Sequence, residues 1–564
     1  MIAELKKQLA EVLTSAGVPG EIELSIPPNP EMGDFAFGCF VLAKVAGVNP
    51  AEMATDLVQK IIVAGLPGIV SEVKVFGPYV NFFLNTGTVA EIVLTGIKKQ
   101  GATYGQFNYG QGKKVMIEYP SQNTHKEFHI GHLRNVCIGN TLVQLFRAAG
   151  FDVSSVNYIN DFGTHVVKCL WGIKHFHAGE LPPENKQKWL GEVYTEASNF
   201  LEANPDHKAE VDALQLQLEA HDPAIWSLFE QTRDWSLLGF AEIQKQLQCE
   251  PETLFLESEV KARGQELVDE LLAKGIAKEG ERGAIIIDLS ADNLDIALLR
   301  KSSGAGLYLT SDLALAEKKF GTHDVVESIN VTGIEQNFYF KQLFRVLALN
   351  GFTHKMTHIV YGLVTLPEGK MSSRKGNVIL YEDLRDDVLA YMEEEVLKRH
   401  PDWTEERLDE VSAVLTQAVL KFTMQKHEAA KNFAFDFAEA VSFEGFSAPY
   451  LLYTVARINS ILRKQIGEAG AASALHEWEE KNLVLKLAMF PEVVHRAWSD
   501  YNPSVLTNYA FEVAQAFSVF YHHHSIKNAE SPEIQAARIM LIQATHQVIT
   551  RTLDLLTIRT VEEM

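Results

Sequence analysis

The spacing of apolar residues changes along the chain, and each change predicts a different kind of structure. Over residues 1 to about 110 helical and strand spacings mix. The opening stretch MIAELKKQLAEVLTSAG is amphipathic, residues 25–30 (SIPPNP) read as a rigid loop, and Tyr79-Val80-Asn81-Phe82-Phe83-Leu84 alternates as a strand does. A glycine-rich stretch, GATYGQFNYGQGKK, closes this part. From Lys114 the order becomes strand, loop, helix, strand. Residues 115–119 form a short apolar strand, 120–128 a loop, and 130–149 a helix with Leu133, Val136, Leu142, Val143, Leu145 and Phe146 apolar and Gly150 as its stop. Residues 152–159 supply the next strand, and 328–332 and 358–364 are expected to return to the same sheet. Such a unit belongs to a doubly wound parallel sheet, whose ligands sit at the carboxyl ends of the strands. A mostly helical insertion is expected at about 171–295, with a strand-like run at 284–288 near its end. Beyond residue 400 strand signals nearly vanish, and helical periods run to Met564 with breaks near Pro449, at 467–472 and at Pro503. The expected fold is therefore α/β plus all-α. A Rossmann-like parallel-sheet core (111–400) lies between a small N-terminal α/β domain (1–110) and a C-terminal helix bundle (401–564).

Composition narrows the class. A chain of 564 residues suits about three to four domains on the usual length prior. Its 46% hydrophobic content is enough for packed cores, and the net charge of −22 counts against a protein that coats nucleic acid indiscriminately. It does not count against one specific RNA, since a basic face can sit within an acidic total. Cys39, Cys137, Cys169 and Cys249 are scattered, so neither a disulfide framework nor a cysteine zinc site is expected. The N-terminus lacks the apolar core of a signal peptide, and no apolar run is long enough to span a bilayer. A cytoplasmic chain without membrane contact is the expectation.

Two short motifs carry the chemistry. His129-Ile130-Gly131-His132 opens the 130–149 helix directly after the loop. Helical spacing puts both imidazoles on one face, glycine lets a nucleotide approach the backbone, and the helix N-terminus offers free N–H groups to an anion. Lys370-Met371-Ser372-Ser373-Arg374-Lys375-Gly376 lies far downstream as a loop of cations and small residues. Alone, the first motif could be an ordinary helix start and the second a solvated turn. Together, in this order, they point to activation of a carboxylate by ATP. His129 and His132 would donate to phosphate oxygens as charge develops in an in-line attack, with Gly131, Met371, Ser372 and Ser373 lining the nucleotide. Lys126, Lys370, Arg374 and Lys375 are the cations that could neutralise the leaving pyrophosphate, aided by Mg²⁺. The attacking carboxylate is already ionised at neutral pH, so no general base is needed.

At these residues a resemblance becomes plain. The chain resembles the class I aminoacyl-tRNA synthetases through nearly all its length, and in detail the arginyl-tRNA synthetase family. The matching segments are IEYPSQNTHKEFHIGHLR from Ile117, NYINDFGT from Asn157, YLTSD from Tyr308 with Gln336, and SAPYLLY from Ser447 through Arg457. The end of the chain, VEEM, and the first domain, with GDFAF from Gly33 and Asn81-Phe82-Phe83, resemble the family as well. The resemblance implies formation of arginyl-adenylate from L-arginine and ATP, then transfer to the 2′-hydroxyl of the terminal ribose of tRNA(Arg). It also implies that the first step needs bound tRNA. ATP with Mg²⁺ and no zinc is expected, with arginine, ATP and tRNA(Arg) as partners of a monomer.

A guanidinium is planar, permanently charged and rich in donors, so its site should offer carboxylates. Glu118 and Asp312 are the candidates, with Tyr308 and Gln336 as neutral contacts and Asn123 and His132 for the α-amino and α-carboxylate groups. A solvated strand end for Glu118 and a helix cap for Asp312 are the plainer readings. For tRNA the resemblance points to Phe35, Phe37 and Asn81 in the first domain and to Tyr453 and Arg457 in the bundle. Lys421, Lys426 and Lys431 are further candidates for phosphate contact. The run His522-His523-His524 is a poor metal site, because adjacent helical residues diverge, and it suits bases better. Two departures stand out: Ser373 where the family's K-M-S-K-S has lysine, and Ser121-Gln122-Asn123 and Asn160-Asp161-Phe162-Gly163 where it has Ser-Pro-Asn and Gly-Asp-Trp-Gly. The rivals are another class I synthetase and a non-catalytic synthetase-like RNA-binding protein.

Overall fold

A computed structural model describes residues 1–302, 306–367, 379–464 and 467–564. The first domain is a three-stranded antiparallel sheet, β1 (Phe35–Gly38), β2 (Val70–Phe76) and β3 (Tyr79–Leu84), in the order β1-β3-β2. The Ile2–Ser15 helix buries Ile2, Leu5, Leu9 and Leu13, one stripe at helical spacing. Asn49 caps the Pro50–Ala64 helix by accepting from the Ala51 N–H at 2.8 Å, with proline at the start where its missing donor is not needed.

The core is a five-stranded parallel sheet built from β4 (Lys114–Glu118), β5 (Asp152–Ile159) and β6 (Thr253–Leu256), followed later in the chain by two more strands. Before those come β7 (Lys278–Glu279), β8 (Ile285–Asp288) and β9 (Ile296–Arg300), a separate antiparallel sheet. Then β10 (Glu327–Gly333) and β11 (Lys355–Tyr361) complete the order β11-β10-β4-β5-β6. Every residue of β10 is buried, as a strand covered on both faces requires. The chain leaves β4 towards β5 and later returns on its other side as β10. The carboxyl ends of β4 and β10 therefore flank the crevice where doubly wound sheets take ligands.

The stretch 171–295 is mostly helical, as expected, but one strand within it belongs to the core sheet. Four helices, Thr164–Phe176, Lys186–Ala203, Lys208–Glu219 and Pro223–Gln246, do form an excursion with its own apolar core around Trp171 and Phe229. But β6 rejoins the main sheet, and the Glu257–Ala273 helix that follows packs on the Tyr308–Thr322 helix. A four-residue strand gives too little periodicity to be seen between helical signals.

Two short strands, β12 (Val364–Thr365) and β13 (Phe433–Ala434), pair in parallel and join the core to the bundle. Arg134, fully buried on the Ile130–Ala148 helix, clamps this junction. Its guanidinium donates to the carbonyls of Gly362, Lys431, Glu428 and Ala429 at 2.5–3.2 Å. The bundle is formed by long helices, among them Glu405–Gln425, Ala448–Arg463, Ser504–His523 and Pro532–Leu555. The first domain docks on it through the Thr86–Gln100 helix and a largely buried Asp34–Lys481 pair at 2.9 Å.

Candidate active site

The loop after β4 is held in an unusual shape. Ser121 and His125 have φ of +57° and +60°, a region that non-glycine residues seldom adopt. Side chains from β5 and the excursion fix it. Asn157 receives the Ser121 N–H at 3.0 Å and donates to Gln122 at 2.7 Å, while His125 sits wholly buried against Thr232 at 2.8 Å. A parallel bridge to Asn160 sets Asn123, half-buried, between the ends of β4 and β5.

This loop delivers the histidine pair. His129 caps the Ile130–Ala148 helix, and its Nδ1 accepts the Gly131 N–H at 3.1 Å. His132 Nδ1 accepts the His129 N–H at 3.3 Å, and the two rings stack with centroids 3.8 Å apart. A backbone N–H can only donate, so both Nδ1 atoms are bare and each proton resides on Nε2. Burial lowers His129 to about 4, with the Lys126 charge adding to it. Burial, His129 and Lys126 push His132 down as well. Both rings are thus neutral donors at pH 7. A Cβ on Gly131 would come within 2.9 Å of the His129 ring, which leaves that position to glycine. The Lys126 ammonium lies 5.1 Å over the Tyr194 ring.

From Ile379 the chain pairs with this helix start. Ile130 N–H donates to the Ile379 carbonyl at 2.9 Å and Tyr381 N–H to the Phe128 carbonyl at 3.0 Å. Lys370, Met371, Ser372, Ser373, Arg374 and Lys375 themselves lie outside the described residues.

Carboxylates stand at the carboxyl ends of the strands, Glu118 on β4, Asp161 just past β5 and Glu257 just past β6. Asp312, one turn into the Tyr308–Thr322 helix, accepts from the Tyr339 hydroxyl, and burial raises it to about 7, with Glu118 adding to the shift. Glu257 stands directly after β6, 7% exposed. Its Oε1 accepts from Ser311 at 3.4 Å, and its Oε2 has no hydrogen-bond partner. Burial raises Glu257 to about 8, helped by Asp312 and Asp161. A buried carboxylate oxygen without a donor is costly, and a guanidinium would satisfy it. Sequence reasoning missed Glu257 because β6 was hidden within the insertion. A Glu at the carboxyl end of a short β-branched or aromatic run was the available signal. Tyr308 is 56% exposed at the mouth, and Gln336 is exposed in the turn after β10.

Glu118 is buried and ion-paired: Lys319 Nζ lies 2.6 Å from Oε2, which has no hydrogen-bond partner, and Asn330 Nδ2 donates to Oε1 at 2.7 Å. Asp161 is held by the Ser258 N–H and hydroxyl at 2.8 and 2.7 Å.

The RNA candidates divide. Phe35, Phe37 and Asn81 are corrected from contacts to core, being 1%, 8% and 1% exposed, with Asn81 donating to the Met32 carbonyl. The alternation that made them conspicuous is what buries them. Lys421 and Lys426 are also buried, on Thr557 and Gln248 and on Glu439, whereas Lys431 is exposed. Tyr453 and Arg457 face solvent together. The Arg457 guanidinium lies 4.7 Å over the Tyr453 ring and 5.7 Å over Tyr521. Arg457 borders a cleft of about 680 Å³ that Tyr521, His522 and His523 also line. His524 turns away to Glu479 at 3.0 Å, and Glu477 completes a group whose ligand atoms lie within 4.8 Å of one another. The Arg538 guanidinium at His524 Nδ1 leaves the proton on the nitrogen that faces Glu479, which disfavours a cation there.

Comparison with known proteins adds three family matches. Residues 3–84 match the arginyl tRNA synthetase N terminal domain, 93–437 the class I (R) tRNA synthetase catalytic domain, and 451–564 the DALR anticodon binding domain. The chain is 34% identical to an arginine–tRNA ligase of Clostridium botulinum, covering 100% of this chain and 99% of that one. It is 33% identical to one of Bdellovibrio bacteriovorus, covering 95% and 93%. The solved Thermus thermophilus arginyl-tRNA synthetase superposes with a TM-score of 0.81 at 25% identity, covering 100% of both chains.

Proposed function

This chain belongs to the class I arginyl-tRNA synthetases, and from that premise we propose how its own residues divide the work. The reaction joins L-arginine to ATP, giving arginyl-adenylate and pyrophosphate, and passes the arginyl group to the 3′-terminal ribose of tRNA(Arg). Asp312 and Glu257 take the guanidinium, with Tyr339 and Tyr308 shaping the mouth. The observation that carries this reading is the unpartnered Glu257 oxygen beside Asp312, at the carboxyl end of the same parallel sheet as the histidine pair. Asn123 and Gln336 hold the arginine backbone.

The histidines act through Nε2–H, donating to phosphate oxygens as negative charge grows during attack on the α-phosphorus. Their neutrality matters, because a fixed donor needs no reorganisation when charge appears. ATP enters as its magnesium complex. Lys126 and the cations of residues 370–375 meet the leaving pyrophosphate, and the bridge from Ile379 to the helix start supports bringing that loop to the site. The cleft at Arg457, which lies against Tyr453, receives a base of the tRNA by stacking. A monomer divided at about 110 and 400, working in the cytoplasm where charged tRNA is consumed, completes the proposal. Among the described residues no helix is long and apolar enough to cross a membrane.

ATP–pyrophosphate exchange across all twenty amino acids, each with and without bulk tRNA, tests the reading. Exchange with arginine alone, and only when tRNA is present, is expected. Exchange with a different amino acid removes the acidic pocket from the argument. In the same assay His132→Ala should slow adenylate formation about 10²-fold while tRNA binding persists.

A further inference from the structure

The helix that carries Asp312 also carries Lys319, seven residues on. That is close to two helical turns, so both lie on the face turned to the sheet. Lysine is almost never fully buried unless paired. Here Lys319 is 1% exposed, with its ammonium 2.6 Å from Glu118 Oε2 beneath the acidic pocket. Asn330 of β10 fixes the other oxygen of Glu118 at 2.7 Å. Buried ion pairs of this kind add little net stability, because desolvation offsets most of the attraction. Stability is therefore a weak reason for an ammonium at this position.

The surroundings give a better one. The charged and titratable groups gathered with the pair are Tyr158 of β5, Asp312, Tyr339 and Glu257, and against Glu257 stand Asp161, beyond the end of β5, and Lys261 of the Glu257–Ala273 helix. Four of the groups, counting Glu118, are carboxylates. Lys261 is drawn outward to Glu219 at 3.0 Å, so Lys319 is the buried cation among them. It opposes the effect of Glu118 on Asp312.

We propose that Lys319 is a positioning residue for arginine. Held on Glu118, it offsets that carboxylate's charge and so keeps Asp312, beside Glu257, ready to ionise for the guanidinium. The inference rests on the reading of Asp312 and Glu257 as guanidinium acceptors.

The test is the pH dependence of the arginine and ATP KM values in pyrophosphate exchange with tRNA present, from pH 6 to 9. The full-length chain is compared with Lys319→Met, Lys319→Arg, Asp312→Asn and the double variant Glu118→Gln/Lys319→Met. Loss of the cation raises Asp312, and a rise of one unit from about 7 leaves about fivefold less of it ionised at pH 7. Lys319→Met should thus raise the arginine KM about fivefold at pH 7, converge on the parent towards pH 9, and leave the ATP KM in place. Lys319→Arg should restore the parent profile. So should the double variant, which removes both charges of the pair and covers the case in which Lys319→Met does not fold. A KM rise equal at every pH, no rise at all, or failure of both rescues overturns the role of Lys319. A parent-like arginine KM in Asp312→Asn overturns the pocket reading itself, whereas a defect there beside a normal Lys319→Met overturns only this inference.

Discussion

At the residue scale, function depends on which groups are left free. His129 and His132 spend Nδ1 on backbone N–H groups and keep Nε2–H for a ligand. Asp161 spends its oxygens on Ser258 and Glu118 is ion-paired to Lys319, while one Glu257 oxygen has neither a donor nor a cation among the described residues. The raised values of Asp312 and Glu257 carry a pH signature whose sign can be worked out. Unfolded carboxyls titrate near pH 4, so the empty folded site binds extra protons from about pH 4 up to about 7 and 8. The stability those groups contribute is present at low pH and is lost as pH rises through the folded values. A bound guanidinium requires the ionised forms, so the stabilisation by arginine should grow from pH 6 to pH 9. Thermal denaturation with and without saturating arginine checks this, and a shift that shrinks with pH would exclude both carboxylates. The histidine pair was legible in the sequence because three-residue spacing at a helix start fixes a shared face whatever surrounds it. The state of Glu118 was not, because Lys319 reaches it only through the fold.

At the scale of elements, the Ile130–Ala148 helix is the scaffold. Its start presents the histidines and receives the chain at Ile379–Tyr381, and its middle packs on the residue that opens the strained loop. A Cβ at Gly139 would stand 2.3 Å from the Tyr119 ring, so helix and strand meet where only glycine fits. Gly139→Ala should cost about 1–3 kcal/mol by overpacking, read from urea denaturation, and should raise the arginine KM by displacing the loop that carries Asn123. Unchanged stability would mean that the helix slides freely over Tyr119. The long helices and the strands near 115, 152, 328 and 358 were readable from apolar period alone. The edge strand β6 was not, and with it went Glu257, because four residues between helices carry no period of their own.

At the scale of the whole molecule, the catalytic sheet, the bundle and the first domain are bound by buried polar clamps. Arg134 gathers four carbonyls from two segments far apart in sequence, and Asp34 meets Lys481 across the docking face. Arg134→Met leaves those carbonyls without their donor. It should destabilise the protein by about 3 kcal/mol and split a single calorimetric transition into two as core and bundle part. One intact transition at the parent temperature would show that the clamp does not couple them. The sequence by itself determined the order of element types, the histidine and basic-loop motifs and the family, because period, glycine and proline placement and motif spacing are local properties. Only the tertiary structure decided which side chains remain available. Phe35, Phe37 and Asn81 went to the core, Glu118 to Lys319, and Glu257 to a buried place beside Asp312. Burial and ion pairing are relations between residues brought together from distant parts of the chain, and no local pattern encodes the partner.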